Sequence, residues 1–333
     1  MNEPLVYLNG ELVPASQARL SIFDAGVVQG ATVTEMTRTF HRRPFRLGDH
    51  LDRLFRSLRS ARIDAGLSKE EFTAISQELI EHNARLIDDG DDLGLIQFVT
   101  AGEYPTYSRM DRSDRIHAVV AGSDPMNRVT TNSAPTVCVH TFPLPFVLWA
   151  KKMRAGAHLI TPSIRQLPPQ CLDPAMKCRS RMHYYLADKE AQLADPEAAA
   201  LLLDLDGNVT ETSGANFLIV ERGTIVSPTL RNTLPGVSRA TVIELAAALG
   251  IPFVERDIQV FSVMNADEAF LSSTPFCLMP VTRFNGVPIA DGKPGPVYRR
   301  LLQAWSQKVG VDILGQIIEG AKRRAAANPA PGR

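Results

Sequence analysis

Apolar residues recur along the chain with two periods, and the switches between them lay out its elements. Residues 6–8 and 12–13 are apolar strands around Asn9-Gly10, a pair that accepts the positive φ values of a tight hairpin turn. Residues 31–40 are rich in β-branched side chains and read as a strand ending in the turn His41-Arg42-Arg43-Pro44. From Asp49 onward the period changes: Leu51, Leu54, Phe55, Leu58 and Ala61 return at helical spacing and share one face. Ser68-x-x-Glu71 is a capping box, in which serine and glutamate each satisfy an end amide, and it opens a helix carrying Phe72, Ile75, Leu79 and Ile80. Leu93–Thr100 and 116–121 are apolar runs of strand length.

The second part begins after the proline-containing stretch 141–145. Residues 177–193 predict a helix, and 200–206, 208–211 and 216–220 predict strands, the first two joined by a turn at Asp206-Gly207. A helix over 241–249 stops at Gly250, where the missing Cβ permits a left-handed cap. Further strands are expected near Val254, at 268–272 and at 278–281, and Pro296–Val309 is a last amphipathic helix. The pattern predicts an α+β chain: a small domain at 1–140, a linker at 141–152, a larger domain at 153–320 and a disordered basic tail at 321–333.

Composition narrows the function classes. The 333 residues are 44% hydrophobic and 22% charged, with 36 Lys+Arg against 36 Asp+Glu, so no net field favours a nucleic acid or a membrane surface. The start, MNEPLVYLNG, lacks the basic and apolar regions of a signal peptide, and no apolar run approaches the roughly 18 residues of a spanning helix. Cys138, Cys171, Cys178 and Cys277 show no CxxC spacing and read as reduced thiols of a cytoplasmic protein. GxGxxG, Walker A, HExxH and GxSxG patterns are all missing, and the seven histidines are scattered, so neither a nucleotide loop, a metal nor an α/β-hydrolase elbow is expected.

Four segments remain. They are His50-Leu51-Asp52-Arg53-Leu54; Met176-Lys177-Cys178-Arg179-Ser180-Arg181; Gly207 to Phe217 with Glu211 and Asn216; and Leu234-Pro235-Gly236-Val237-Ser238-Arg239, followed by Ser272-Ser273-Thr274-Pro275. In this order the set resembles the class IV (fold-type IV) pyridoxal-phosphate enzymes: branched-chain and D-amino-acid aminotransferases, (R)-amine transaminases and aminodeoxychorismate lyases. The likeness runs from about Tyr7 to Gln303, and it rests on the ordered combination H-x-x-R-L, the lysine, G-x-x-x-E-x-x-x-x-N-F and L-P-G-x-[ST]-R. It implies a small α/β N-terminal domain, a larger C-terminal pseudo-barrel, and at least a homodimer with a shared active site.

The resemblance also implies roles. Lys177 carries pyridoxal 5′-phosphate as a Schiff base and moves the α-proton. Glu211 keeps the pyridine nitrogen protonated, and Asn216 holds its loop. Arg53 is a bidentate phosphate donor, Val237 and Ser238 offer the phosphate a helix N-terminus, and Thr274 completes the cradle. On bland readings Lys177 and Arg53 are solvated surface charges, Glu211 an exposed hairpin residue, and Ser238 an ordinary N-cap.

Departures from the best-known branch concern substrate choice. Arg181 stands near the point where relatives place a tyrosine against the cofactor's phenolic oxygen, with Tyr184 and Tyr185 as alternatives. Asp24-x-Gly26-x-x-x-Gly30 with Glu35 keeps the family skeleton, but Gln29 and Thr34 replace aromatics of the substrate pocket. Thr100, Arg179, Pro275 and Phe276 are the other candidate pocket residues, and Arg165, Arg179 and Arg181 are candidate carboxylate anchors. The expected activity is ping-pong transfer of an amino group between a hydrophobic or branched-chain L-amino acid, or a D-amino acid, and a 2-oxo acid. A lyase of the aminodeoxychorismate type and a non-catalytic homologue are the alternatives.

Overall fold

The structure is a computed structural model that describes residues 3–104 and 134–327; the strand expected at 116–121 lies outside them. At the start, β1 (Leu5–Leu8) pairs with β2 (Glu11–Pro14), and the turn between them has φ of 51° at Asn9 and 99° at Gly10. The short helix α1 (Ala25–Val28) is capped by Asp24, whose side chain accepts from Gly26 N. Next, β3 (Thr32–Phe40) turns through His41-Arg42, both at positive φ, into β4 (Arg43–Pro44). Helices α2 (Leu47–Ala61) and α3 (Lys69–Asn83) follow, the latter with both capping-box bonds formed. With β5 (Leu93–Thr100) and β6 (Val137–Pro143) the strands make one sheet, ordered β2-β1-β6-β5-β3-β4. Leu51, Leu54 and Leu58 of α2 and Phe72 and Leu79 of α3 bury against Val33, Leu95 and Val139 of that sheet.

The second unit runs through α4 (Phe146–Ala155), β7 (Ala157–Ile160), α5 (Met182–Ala194), β8 (Ala199–Leu203), β9 (Val209–Thr212) and β10 (Asn216–Glu221). It continues with β11 (Thr224–Ser227), α6 (Val237–Ala248), β12 (Phe253–Glu255), α7 (Val260–Met264) and β13 (Glu268–Ser273). It ends with β14 (Cys277–Phe284), β15 (Val287–Pro288), α8 (Pro296–Val309) and α9 (Ile313–Ala327). Its sheet runs β12-β11-β10-β13-β14-β7-β8-β9, and β9 pairs again with β10 at Glu211 and Asn216. That last pairing closes β10, β13, β14, β7, β8 and β9 into a ring, the pseudo-barrel implied by the resemblance. Phe217, Phe270, Phe284 and Trp305 are fully buried in its core.

Three expectations differ from the structure. Residues 141–152 are regular structure: β6 stays paired with β5 as far as Pro143 opposite Leu93, and α4 starts at the fully buried Phe146. The helix expected from Lys177 begins only at Met182. Before it, Lys177 O accepts from Thr34 N and Arg179 N donates to Thr32 O, so the backbone is satisfied as a strand along the edge of β3. The tail from 321 is helical to Ala327, because α9 buries Ile313 and Ile317 and its Arg323 and Arg324 pair with the buried Asp91.

Candidate active site

The edge pairing with β3 carries Lys177 into a pocket of about 860 Å³, open mouth included, between the two sheets. Its backbone N–H also donates to Ser57 Oγ of α2 at 3.1 Å. His50, Arg53 and Ser57 are buried on one side of that helix, at the three- and four-residue spacing that stacks side chains in a row. Arg53 lines the pocket, but its fork is occupied: Nε and Nη2 each lie 2.7 Å from an oxygen of Glu35, and Nη1 donates to Pro235 O at 2.9 Å. The expected bidentate phosphate donor is therefore held bidentately by a carboxylate, with only the remaining N–H directions left for a ligand. Glu35 is wholly buried, and His50 Nδ1 lies 3.1 Å from its Oε1. Burial raises the Glu35 pKa, but Arg53 and His50 outweigh it and hold the carboxyl far below the usual range.

Glu211 sits at the barrel seam and is buried, not exposed on a hairpin. Tyr184 Oη donates to its Oε1 at 2.9 Å, Asn216 Nδ2 to its Oε2 at 3.0 Å, and Leu234 N to both oxygens at 3.2 Å. Burial still dominates these donors and pushes the carboxyl up to about 7. Burial likewise pushes the Lys177 ammonium down to about 8, with Arg53 and Arg181 adding to the effect and Glu35 opposing it. The proton affinities of the two groups lining this cavity are thus drawn towards each other and towards neutral pH.

The phosphate end is built by α6. No side chain caps this helix, its N-cap Gly236 borders the pocket, and Val237 and Ser238 line it. Free amides at a helix start favour an anion. Gly236 has no room for a Cβ, which would lie 2.0 Å from Asn216 Oδ1. Thr274 also lines the cavity, together with Ser272, whose buried Oγ has no hydrogen-bond partner among the described residues. A buried carboxylate, a half-buried amine, a helix start without a side-chain cap and a hydroxyl without a partner among the described residues fit a phosphorylated pyridine aldehyde. Among the described residues no His/Cys/Asp/Glu cluster could hold a metal ion.

Arg181 lines the pocket and stacks 4.9 Å over the Tyr184 ring, while Tyr185 points outward. The six candidate substrate residues do not line this cavity. Thr34 Oγ1 donates to Gln97 O, and Thr100 Oγ1 donates to Asp24. Pro275 O accepts from Arg38, and Phe276 packs edge-on to Trp149. Gln29 is exposed, and Arg179 lies over the Phe98 ring at 5.4 Å. Arg165 is committed to the Pro162 and Ser163 carbonyls. The wall is instead supplied by Leu167, Leu172, Pro174 and Met176. Sequence reasoning assigned no role to Gln166 or Glu35. The available signal for Glu35 was its place as the last residue of the pattern Asp24-x-Gly26-x-x-x-Gly30-x-x-x-x-Glu35, in a strand whose other polar residues are mostly threonines, whereas Gln166 gave none.

Residues 32–284 match the model of the amino-transferase class IV family. The chain belongs to the class IV aminotransferases. A Methanocaldococcus jannaschii protein provisionally named a branched-chain-amino-acid aminotransferase is 32% identical over 89% of this chain and 93% of its own length. A D-alanine aminotransferase of Bacillus licheniformis is 28% identical over 91% of this chain and 96% of its own. A T.th. branched-chain amino acid aminotransferase, solved with pyridoxamine 5′-phosphate, superposes with a TM-score of 0.77 at 25% identity over 96% of this chain and 97% of that one. The chemistry of this class IV aminotransferase is pyridoxal-phosphate-dependent amino-group transfer, and these relatives bear transaminase names, not lyase names.

Proposed function

We propose that Lys177 is the catalytic residue of a homodimeric transaminase acting on hydrophobic amino acids and 2-oxo acids. The observation that carries this reading is the half-buried Lys177 and the buried Glu211 lining one cavity, with their proton affinities drawn together. When bound, pyridoxal phosphate supplies an aldehyde for an amine and a ring that accepts electrons. The protein does the rest. Lys177 Nζ, its pKa lowered to about 8 by burial, would be the amine that holds the aldehyde and the base that carries the substrate's α-proton. Glu211 holds a proton at the ring nitrogen. The amides at Val237 and Ser238 would hold the phosphate, with Thr274 and the unoccupied edge of Arg53 as the other candidate donors lining the cavity. Arg181, which lines the same cavity, would be the donor to the phenolic oxygen.

The apolar wall at Leu167, Leu172, Pro174 and Met176 favours a hydrophobic side chain. Exposed Ile22, Val27, Met182 and Tyr185 favour a second copy, which would bring further residues to the mouth. Lys177→Ala should remove the visible absorbance of the bound cofactor, and a band surviving in that variant would refute the assignment. Half-reactions with L- and D-amino acids and (R)-1-phenylethylamine, read by the same band, identify the donor class. Sedimentation should give the mass of two chains.

A further inference from the structure

Glu211 is gripped by a side chain that is itself gripped from behind. Tyr184 Oη donates to Glu211 Oε1 at 2.9 Å and accepts from Gln166 Nε2 at 2.8 Å. Gln166 is only 5% exposed and is fixed on several sides. Its backbone N–H donates to Leu203 O, its Nε2 also reaches Asn232 O at 3.3 Å, and its Oε1 lies 3.1 Å from His183 Nε2. Because the amide supplies a proton to the phenol oxygen, the phenol's own proton is directed to the carboxylate. The Tyr184 ring is held as well, packed on the small core of Ala187, Ala191, Ala200 and Leu202 and stacked 4.1 Å from the His183 ring. The adjacent Tyr185 is 58% exposed and takes no part.

We propose that Tyr184, backed by Gln166, is a positioning residue that keeps Glu211 ionised and aimed at the ring nitrogen. The proposal rests on the reading of Glu211 as that nitrogen's partner. It gives Tyr184 a role at the nitrogen end of the ring, distinct from contact with the phenolic oxygen. The charged and titratable groups facing Glu211 are Lys177 and Arg181 from the segment along β3 and Tyr184 from α5; Asn216 of β10 and the Leu234 amide add neutral donors. Each cation and donor favours the carboxylate. Loss of the phenol proton should raise the pH at which Glu211 takes up a proton by about one unit, the order expected for one hydrogen bond to a charged group.

The test is a pH titration of the bound cofactor's visible band in the holoenzyme of Tyr184→Phe, which keeps the packed ring. The variant should retain the cofactor. Its low-pH transition should move up by about one unit, and its half-reaction with an amino donor should slow about tenfold at neutral pH. Gln166→Leu, which withdraws the backing amide, should shift the transition in the same direction by less, and it carries the test if Tyr184→Phe does not fold. A cofactor-loaded variant that titrates like the wild type overturns the proposal. A Glu211→Gln enzyme whose band titrates unchanged overturns instead the reading of Glu211 on which it rests.

Discussion

Glu35 shows how a single buried charge is tolerated. Its two oxygens meet Arg53 and His50, all three side chains being nearly inaccessible to water. Removing one partner from such a pair leaves an uncompensated charge, so Glu35→Gln should cost about 3 kcal/mol in denaturant unfolding and weaken cofactor retention through a displaced Arg53. The folded-state pKa of Glu35 is depressed. Its contribution is therefore complete above the ordinary value of 4.5 and lost as pH falls below it, so variant and wild type should converge in acid. Glu211 has the opposite sign. Its carboxyl is raised from 4.5 to about 7, so the folded chain holds a proton that the unfolded chain releases in that window. The apoprotein should lose stability relative to Glu211→Gln as pH rises from 4.5 to 7, by about 3 kcal/mol in total, measured by unfolding at several pH values.

At the scale of elements, local chemistry set the ends and tertiary partners set the exceptions. The capping box at Ser68 and Glu71 was legible because all its groups lie within one turn, and Ser68→Ala should lower stability by about 1 kcal/mol in urea unfolding. The start of α6 is different. No side chain among the described residues caps it, and Gly236 lets Asn216 come close, where Asn216 Nδ2 bonds both Glu211 and Leu234 O. Gly236→Ala should displace Asn216 and reduce pyridoxal phosphate affinity at least tenfold, read by equilibrium dialysis, with little change in helix content. The helix expected from Lys177 was misplaced because periodicity does not reveal that β3 offers its free edge to residues 177–179. Only that pairing sets a lysine of mixed surroundings in the cavity wall.

The whole molecule is held together across its two sheets by contacts distant in sequence. Arg323 and Arg324 of α9 reach back to Asp91, which is 5% exposed and lies just before β5. Gln316 donates to Asp92, and Arg38 of β3 donates to Gln316 and to Pro275 O. Asp91→Asn should lower the unfolding free energy by roughly 2 kcal/mol, and proteolysis should then reach α9 first.

The sequence by itself determined most elements, from the Asn9-Gly10 hairpin to the Pro296–Val309 helix, because turns, caps and periodic faces are local. The ordered motifs also picked out Arg53, Lys177, Arg181, Glu211, Asn216, Val237, Ser238 and Thr274, all of which line one cavity. Only the tertiary structure decided what those groups do to one another. The barrel seam places Asn216 beside Glu211, Glu35 occupies the fork of Arg53, and Gln166 braces Tyr184. The cavity is lined by Leu167, Leu172, Pro174 and Met176, while Gln29, Thr34, Thr100, Arg179, Pro275 and Phe276 lie outside its lining. Proton affinity and pocket shape depend on burial and on partners brought from elsewhere in the chain, and these are properties of the packed molecule.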